Sequence, residues 1–271
     1  MDRVPGLALV VSDVDGTLVT TDKRLTPAAV EAVRRLGAAG IGFTVASSRP
    51  PVGLRPLVAA LDLRLPLGAF NGSTVCGPDL VTLSETLIPE AAARAAAAEL
   101  GAAGVDLWVF SDGAWFLRDP SAPYVDLEAR TLQAEPIVVA DLTAPLARAA
   151  KIVGVSRDHD RLAAVEASLA AALGPRAAVH RSQAYYLDVT PPGIDKGRFV
   201  ADLGRRLGIA RGRIATLGDA GNDVAMFRES GLAIAMGNAD PAVRAAAGAV
   251  TDDNDSDGFA RAIERFVLGP A

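Results

Sequence analysis

An unbroken apolar stretch, Leu7-Ala8-Leu9-Val10-Val11, runs straight into Ser12-Asp13-Val14-Asp15-Gly16-Thr17-Leu18. A run of that length without polar alternation reads as a strand buried on both faces, as in a parallel sheet covered by helices. Such sheets bind ligands at the carboxyl ends of their strands. There this strand presents two carboxylates, two residues apart. Two acids so placed repel each other and lose hydration unless a cation sits between them. The plainer alternative is a solvated turn, since Asp-Gly is a common turn dipeptide.

The strand-helix alternation recurs. Thr26-Pro27 is an N-cap followed by proline at the first helical position, opening a helix to about residue 39, which Gly40 stops. Strands over 41–46 and 65–70 follow, with a helix over 51–60 between them. Late in the chain the pattern returns. Helices are expected over 196–207, 223–229, 241–247 and 257–267, with strands over 214–217, 232–235 and 249–251. Repeated units of this kind imply a parallel sheet with helices on both faces. The middle differs. Strands expected over 105–111 and 114–118 flank the hairpin signal Asp112-Gly113. Further strands over 151–155, 177–181 and 185–189, with helices over 90–103 and 158–173, suggest an antiparallel sheet with helices on one face. The expected fold class is therefore α/β: a doubly wound, Rossmann-like core over residues 1–82 and 189–271, with an α+β domain inserted at 83–188.

Bulk properties narrow the function. The net charge of −5 and the lack of any block of consecutive Lys and Arg argue against nucleic acid or an anionic membrane as partner. Cys76 is the only cysteine, so no intrachain disulfide can form and a cytoplasmic location is expected. Met1–Val11 lacks the pattern of a signal peptide, and no run of 18 apolar residues is present, so no membrane span is expected.

A second acid cluster, Gly218-Asp219-Ala220-Gly221-Asn222-Asp223, follows the strand expected over 214–217. Helix capping explains one acid there, but not both together with Asn222. Two such clusters at the ends of parallel strands can converge, crowding Asp13, Asp15, Asp219 and Asp223 into one crevice. Oxygen-only ligands suit a hard divalent ion such as Mg2+, and the absence of His and Cys disfavours zinc. Ser47-Ser48-Arg49 ends another strand, where a hydroxyl and free amides make either an anion site or an ordinary cap. Lys196 opens a helix. A cation in a first turn opposes the helix dipole and wants a local anion; otherwise it is simply solvated.

In this order, the four strand ends resemble the haloacid dehalogenase-like (HAD) phosphohydrolases. The motifs are Asp13-Val14-Asp15-Gly16-Thr17-Leu18, Ser47, Lys196 in Gly193-Ile194-Asp195-Lys196-Gly197, and Gly218-Asp219-Ala220-Gly221-Asn222-Asp223. Asn71-Gly72 and Ala235-Met236-Gly237-Asn238-Ala239 are similar to the Cof-type subgroup, whose large α/β cap lies between the second and third motifs. Ser48 stands where a glycine is usual. The resemblance implies Asp13 as nucleophile forming an aspartyl-phosphate, and Asp15 as general acid and then base. It implies Mg2+ held by the Asp13 carboxylate, the Asp15 carbonyl and Asp219, with Asp223 ordering the shell. Ser47, Lys196 and Asn222 would hold the phosphate. An acid at Asp15 favours transfer from an alcohol to water over dehalogenation. The implied activity is a phosphatase acting on a small phosphorylated metabolite such as a sugar phosphate, by a monomer or homodimer. A phosphomutase using the same residues, and a non-catalytic binding protein on the same fold, are the alternatives. Lys151, Arg181, Tyr185, Tyr186, Trp115 and Asp112 could face a substrate from the inserted domain, though each more readily serves that domain's own surface or core.

Overall fold

The computed structural model describes residues 4–269, which divide into two compact units. The first comprises residues up to Ser48, Arg55–Leu83 and the chain from Asp195 onward. Its centre is a five-stranded sheet in the order Ala249–Val250, Leu232–Ala235, Ile214–Gly218, Leu9–Ser12, Gly42–Val45, parallel throughout. The apolar run predicted as a doubly buried strand is one: Leu9, Val10, Val11 and Ser12 are each fully buried. Leu9, Val11 and Ala46 pack with Phe199, Val200 and Leu203 of helix Lys196–Leu207 and with Met226 and Phe227 of helix Val224–Arg228.

The helix expected over 196–207 spans Lys196–Leu207. Asp195 caps it by accepting from the Arg198 N–H, and Gly208 ends it in the left-handed conformation. The expected third strand is shorter, Leu67–Ala69, and does not join the parallel sheet as a full member. It touches that sheet through one bridge, Ala46 to Gly68, and otherwise pairs antiparallel with Thr74–Cys76. The helix expected over 51–60 is a 3-10 turn, Pro51–Leu54, followed by an α-helix, Arg55–Leu61. The closing segment is α-helical only over Gly258–Ala262 and continues as a π-helix over Ile263–Leu268.

The second unit comprises Arg49–Leu54 and Ser84–Ile194. Its six-stranded sheet runs Ala178–Gln183, Tyr186–Thr190, Ala149–Val155, Asp106–Ser111, Ala114–Leu117, Ile137–Val138. All pairings are antiparallel except the last, where Ile137–Val138 lies parallel to Ala114–Leu117, a strand pair the sequence pattern did not suggest. The hairpin turn at Asp112-Gly113 places both residues at positive φ, as a two-residue primed turn requires. Helices Glu90–Ala102 and His159–Leu173 bury Ala92, Ala93, Ala96, Leu162 and Leu169 against Leu107, Val109, Ile152, Leu187 and Val189. The unpredicted helix Val125–Leu132 packs on the Pro51–Leu54 turn.

Candidate active site

The parallel register aligns the chemistry. Ser12 pairs with Leu217 on one side and Val45 on the other, so Asp13, Gly218 and Ala46 come side by side at the carboxyl end of the sheet. The Asp13 N–H donates to the Leu217 carbonyl at 2.9 Å, which anchors the first acid to the strand that delivers the second cluster.

Lys196 is fully buried, and its ammonium donates to Asp13 Oδ1 at 2.5 Å and to Asp223 Oδ1 at 2.6 Å. This supplies the local anions that a first-turn lysine needs. The other oxygen of Asp223 accepts from the backbone N–H groups of Asp219 and Ala220, at 2.8 and 2.9 Å. Asp223 therefore folds its own loop and orients the lysine at once. Asp219 Oδ1 accepts from Thr17 Oγ1 at 2.9 Å. Carboxylate oxygens of Asp13, Asp219 and Asp223 lie within 4.8 Å of one another.

Three carboxylates against one ammonium leave the cluster with excess negative charge, and its titration responds. Burial raises the Asp13 carboxyl well above the usual carboxylate range. The Lys196 ammonium pulls it back, and the charges of Asp223 and Asp219 push it up again. Burial, then the Asp223 charge, push the Asp219 carboxyl up to about 6, against the Thr17 hydrogen bond. Burial opposes the charge on Lys196, but Asp13 and Asp223 outweigh it and hold the ammonium above its ordinary value. The donor set is all oxygen and short of positive charge. It fits a hard divalent cation.

The remaining expected residues fall around this centre. The Asp15 carboxylate stands outside the three-acid group and pairs with Lys23 Nζ at 2.9 Å. Ser47 is fully buried, with its N–H on the Gly68 carbonyl and its carbonyl accepting from the Asn71 N–H, both at 2.8 Å. Asn222 is exposed and donates from Nδ2 to Asn71 Oδ1 at 3.1 Å. Asn71 thus joins the second and fourth motifs. It sits in a left-handed stretch, Phe70-Asn71-Gly72, with φ of 47°, 58° and 93°. Gly72 is required there, because a Cβ would fall 2.7 Å from Phe199 Cβ. A left-handed run of non-glycine residues is costly and concentrates at functional sites.

In the sequence, Asn71 stands out only as a family marker, and Thr17 and Gly16 carry no role of their own. Gly16, at φ +86°, lies so close to Asp219 that a Cβ would come 2.3 Å from Oδ2. The available signal for Thr17 was a hydroxyl in the loop directly after two acids. The six residues weighed in the inserted domain are engaged within their own unit. Lys151 pairs with Asp188 at 2.6 Å, Arg181 with Glu166 at 2.9 Å and Asp112 with Arg148 at 2.8 Å. Trp115 stacks on Phe110, Tyr186 donates to Glu128, and Tyr185 stacks on Tyr124.

A family model described as haloacid dehalogenase-like hydrolase matches residues 10–263. The chain belongs to the haloacid dehalogenase-like hydrolases. It is 32% identical over 231 residues to an HMP-PP phosphatase of Cronobacter sakazakii, covering 84% of each chain. It is similar in structure to a haloacid dehalogenase-like hydrolase from Bacteroides thetaiotaomicron, with a TM-score of 0.88 at 29% identity, over 95% of this chain and 98% of that one. The fold also matches TM0651 of Thermotoga maritima, with a TM-score of 0.85 at 23% identity, over 97% and 100% of the two chains. The family resemblance, the α/β fold class with an inserted α+β part, and the phosphatase class read from the sequence are all borne out. No helix among the described residues is long and apolar enough to cross a membrane.

Proposed function

We propose that this hydrolase is a Mg2+-dependent phosphatase that cleaves a small phosphorylated metabolite, such as a sugar phosphate, through an aspartyl-phosphate on Asp13. The observation that supports this reading most is the Lys196 ammonium set between Asp13 and Asp223, with Asp219 alongside. That arrangement suits a nucleophile and a metal donor set past adjacent strand ends, with a phosphate-binding cation supplied by a helix start.

Asp13 attacks phosphorus through its carboxylate, and the phosphoryl group passes to it as the alcohol departs. Lys196 pulls the Asp13 carboxyl toward its ionised form against burial, and can neutralise the oxygens of the transferring group. Asp15 gives its proton to the leaving oxygen, then takes one from the water that attacks the acyl phosphate. Ser47 and Asn222 orient the phosphoryl oxygens. Asp13, Asp219 and the Asp15 carbonyl would hold Mg2+, with Asp223 fixing Lys196 and the Asp219 loop. Bound there, the cation would offset repulsion between nucleophile and phosphate.

A panel of phosphorylated metabolites, read by inorganic phosphate release, tests the reading. HMP-PP belongs in the panel because the Cronobacter relative is named for it. Activity should vanish in EDTA and return on adding Mg2+. Turnover unchanged in chelator would exclude the metal from the reaction.

A further inference from the structure

We propose that Asn238 is a positioning residue that orients the Asp219 carboxylate and the Gly16 turn, and thereby sets affinity for the divalent cation. The inference rests on the metal reading given above. Asn238 follows the strand Leu232–Ala235, and its side chain is exposed, yet both ends of its amide are engaged. Nδ2 donates to the Gly16 carbonyl at 2.9 Å and lies 3.5 Å from Asp219 Oδ2. Oδ1 accepts from the Asn254 N–H at 3.1 Å. Acceptors on one side and a donor on the other fix which way the amide points.

The anchor behind it is firm. Asn254 is buried, and its own Nδ2 donates to the Val19 carbonyl at 3.0 Å. Asn238 therefore links three segments remote in sequence: the turn after the first acid pair, the second acid cluster, and the 254–256 turn near the end of the chain. Thr17 holds one oxygen of Asp219, and Asn238 stands by the other. The missing Cβ of Gly16 lets that carboxylate settle against the turn. A carboxylate held from both oxygens is preorganised for a cation, and the fixed Gly16 peptide adjoins the Asp15 carbonyl assigned to the same ion. Groups that orient metal ligands in this way typically change metal affinity about 10–100-fold when removed.

The test uses the full chain with Asn238→Ala and the near-isosteric Asn238→Leu. Calorimetric titration with Mg2+ and with Mn2+, in the absence of substrate, gives the dissociation constants. Melting temperatures in EDTA report folding, and phosphate release at limiting and saturating Mg2+ separates binding from turnover. Both variants should bind the cations about tenfold or more weakly. They should keep the wild-type melting temperature in EDTA and recover most of kcat at saturating Mg2+. Unchanged dissociation constants in folded variants would overturn the proposal, as would a lower melting temperature with metal binding intact. A wild-type chain that binds neither cation would remove the metal reading and this inference together. A wild-type chain that binds, with variants that bind equally well, would remove this inference alone.

Discussion

Both units bury charge, and they do so in opposite ways. In the α/β unit two buried acids that follow strand ends, Asp13 and Asp223, flank one buried lysine at a helix start, with the half-buried Asp219 alongside. In the second unit Lys151 in Ala149–Val155 and Asp188 in Tyr186–Thr190 are buried within strands, one against one at 2.6 Å. Around them stand an aromatic group, Trp108, Phe110, Trp115 and Tyr186, with two indole N–H groups that have no partner. A matched pair inside a sheet is a feature of packing. An unmatched set past the ends of two interior strands stores negative charge that a cation can neutralise. The same kind of residue is therefore structural in one place and chemical in the other, and the balance of charge tells them apart.

Substitutions at four positions can break that contrast. The largest effect is expected for Asp13→Asn. Loss of the nucleophile should lower phosphate release by about 10^4-fold or more. Stability should hold or rise, because one of three crowded carboxylates is gone; a phosphate-release assay and a thermal melt check both arms. A destabilised but active variant would make Asp13 a structural residue.

Lys151→Met should do the reverse within its own unit. It strands the fully buried Asp188 carboxylate, at a cost of about 3–5 kcal/mol. The double variant Lys151→Met/Asp188→Leu should return close to wild-type stability, since a buried pair replaced by apolar groups of like volume is often neutral. Urea denaturation of the single and double variants measures this. Equal loss in both would show that the pair does more than balance itself.

The smallest effect concerns pH. The folded-state pKa of Asp219 lies above its unfolded value, at about 6. Its contribution to stability is thus fully present below about pH 4 and is lost as pH rises through about 6. In EDTA, Asp219→Asn should melt above the wild-type chain at pH 7.5, and the gap should close by pH 4. A gap independent of pH would mean that the Asp219 charge is already compensated without metal.

The contrast also explains what the sequence revealed. The α/β unit was legible where apolar strands, Gly stops and capping side chains mark an element, as at Asp195 and Gly208 around Lys196–Leu207. The short helix Val125–Leu132 was not, because its flanks, Tyr124 and Gln133, are both left-handed and carry no recognisable cap. The parallel pairing of Ile137–Val138 escaped notice because two residues make too short a pattern to read. In the site, the acids stood out because each follows a buried strand. Thr17, Asn71 and Asn238 did not, since their partners lie 202, 151 and 222 positions away along the chain and only the fold brings them together.

The mechanism turns on Asp13 carrying the phosphoryl group during turnover. Rapid quenching of the enzyme in acid, while it turns over the best substrate from the panel, followed by peptide mass spectrometry, addresses it directly. A phosphoryl group is expected on the Asp13 side chain, absent when Mg2+ is withheld. Full turnover with an unmodified Asp13 at every quench time, or a phosphoryl group on another residue, would contradict it.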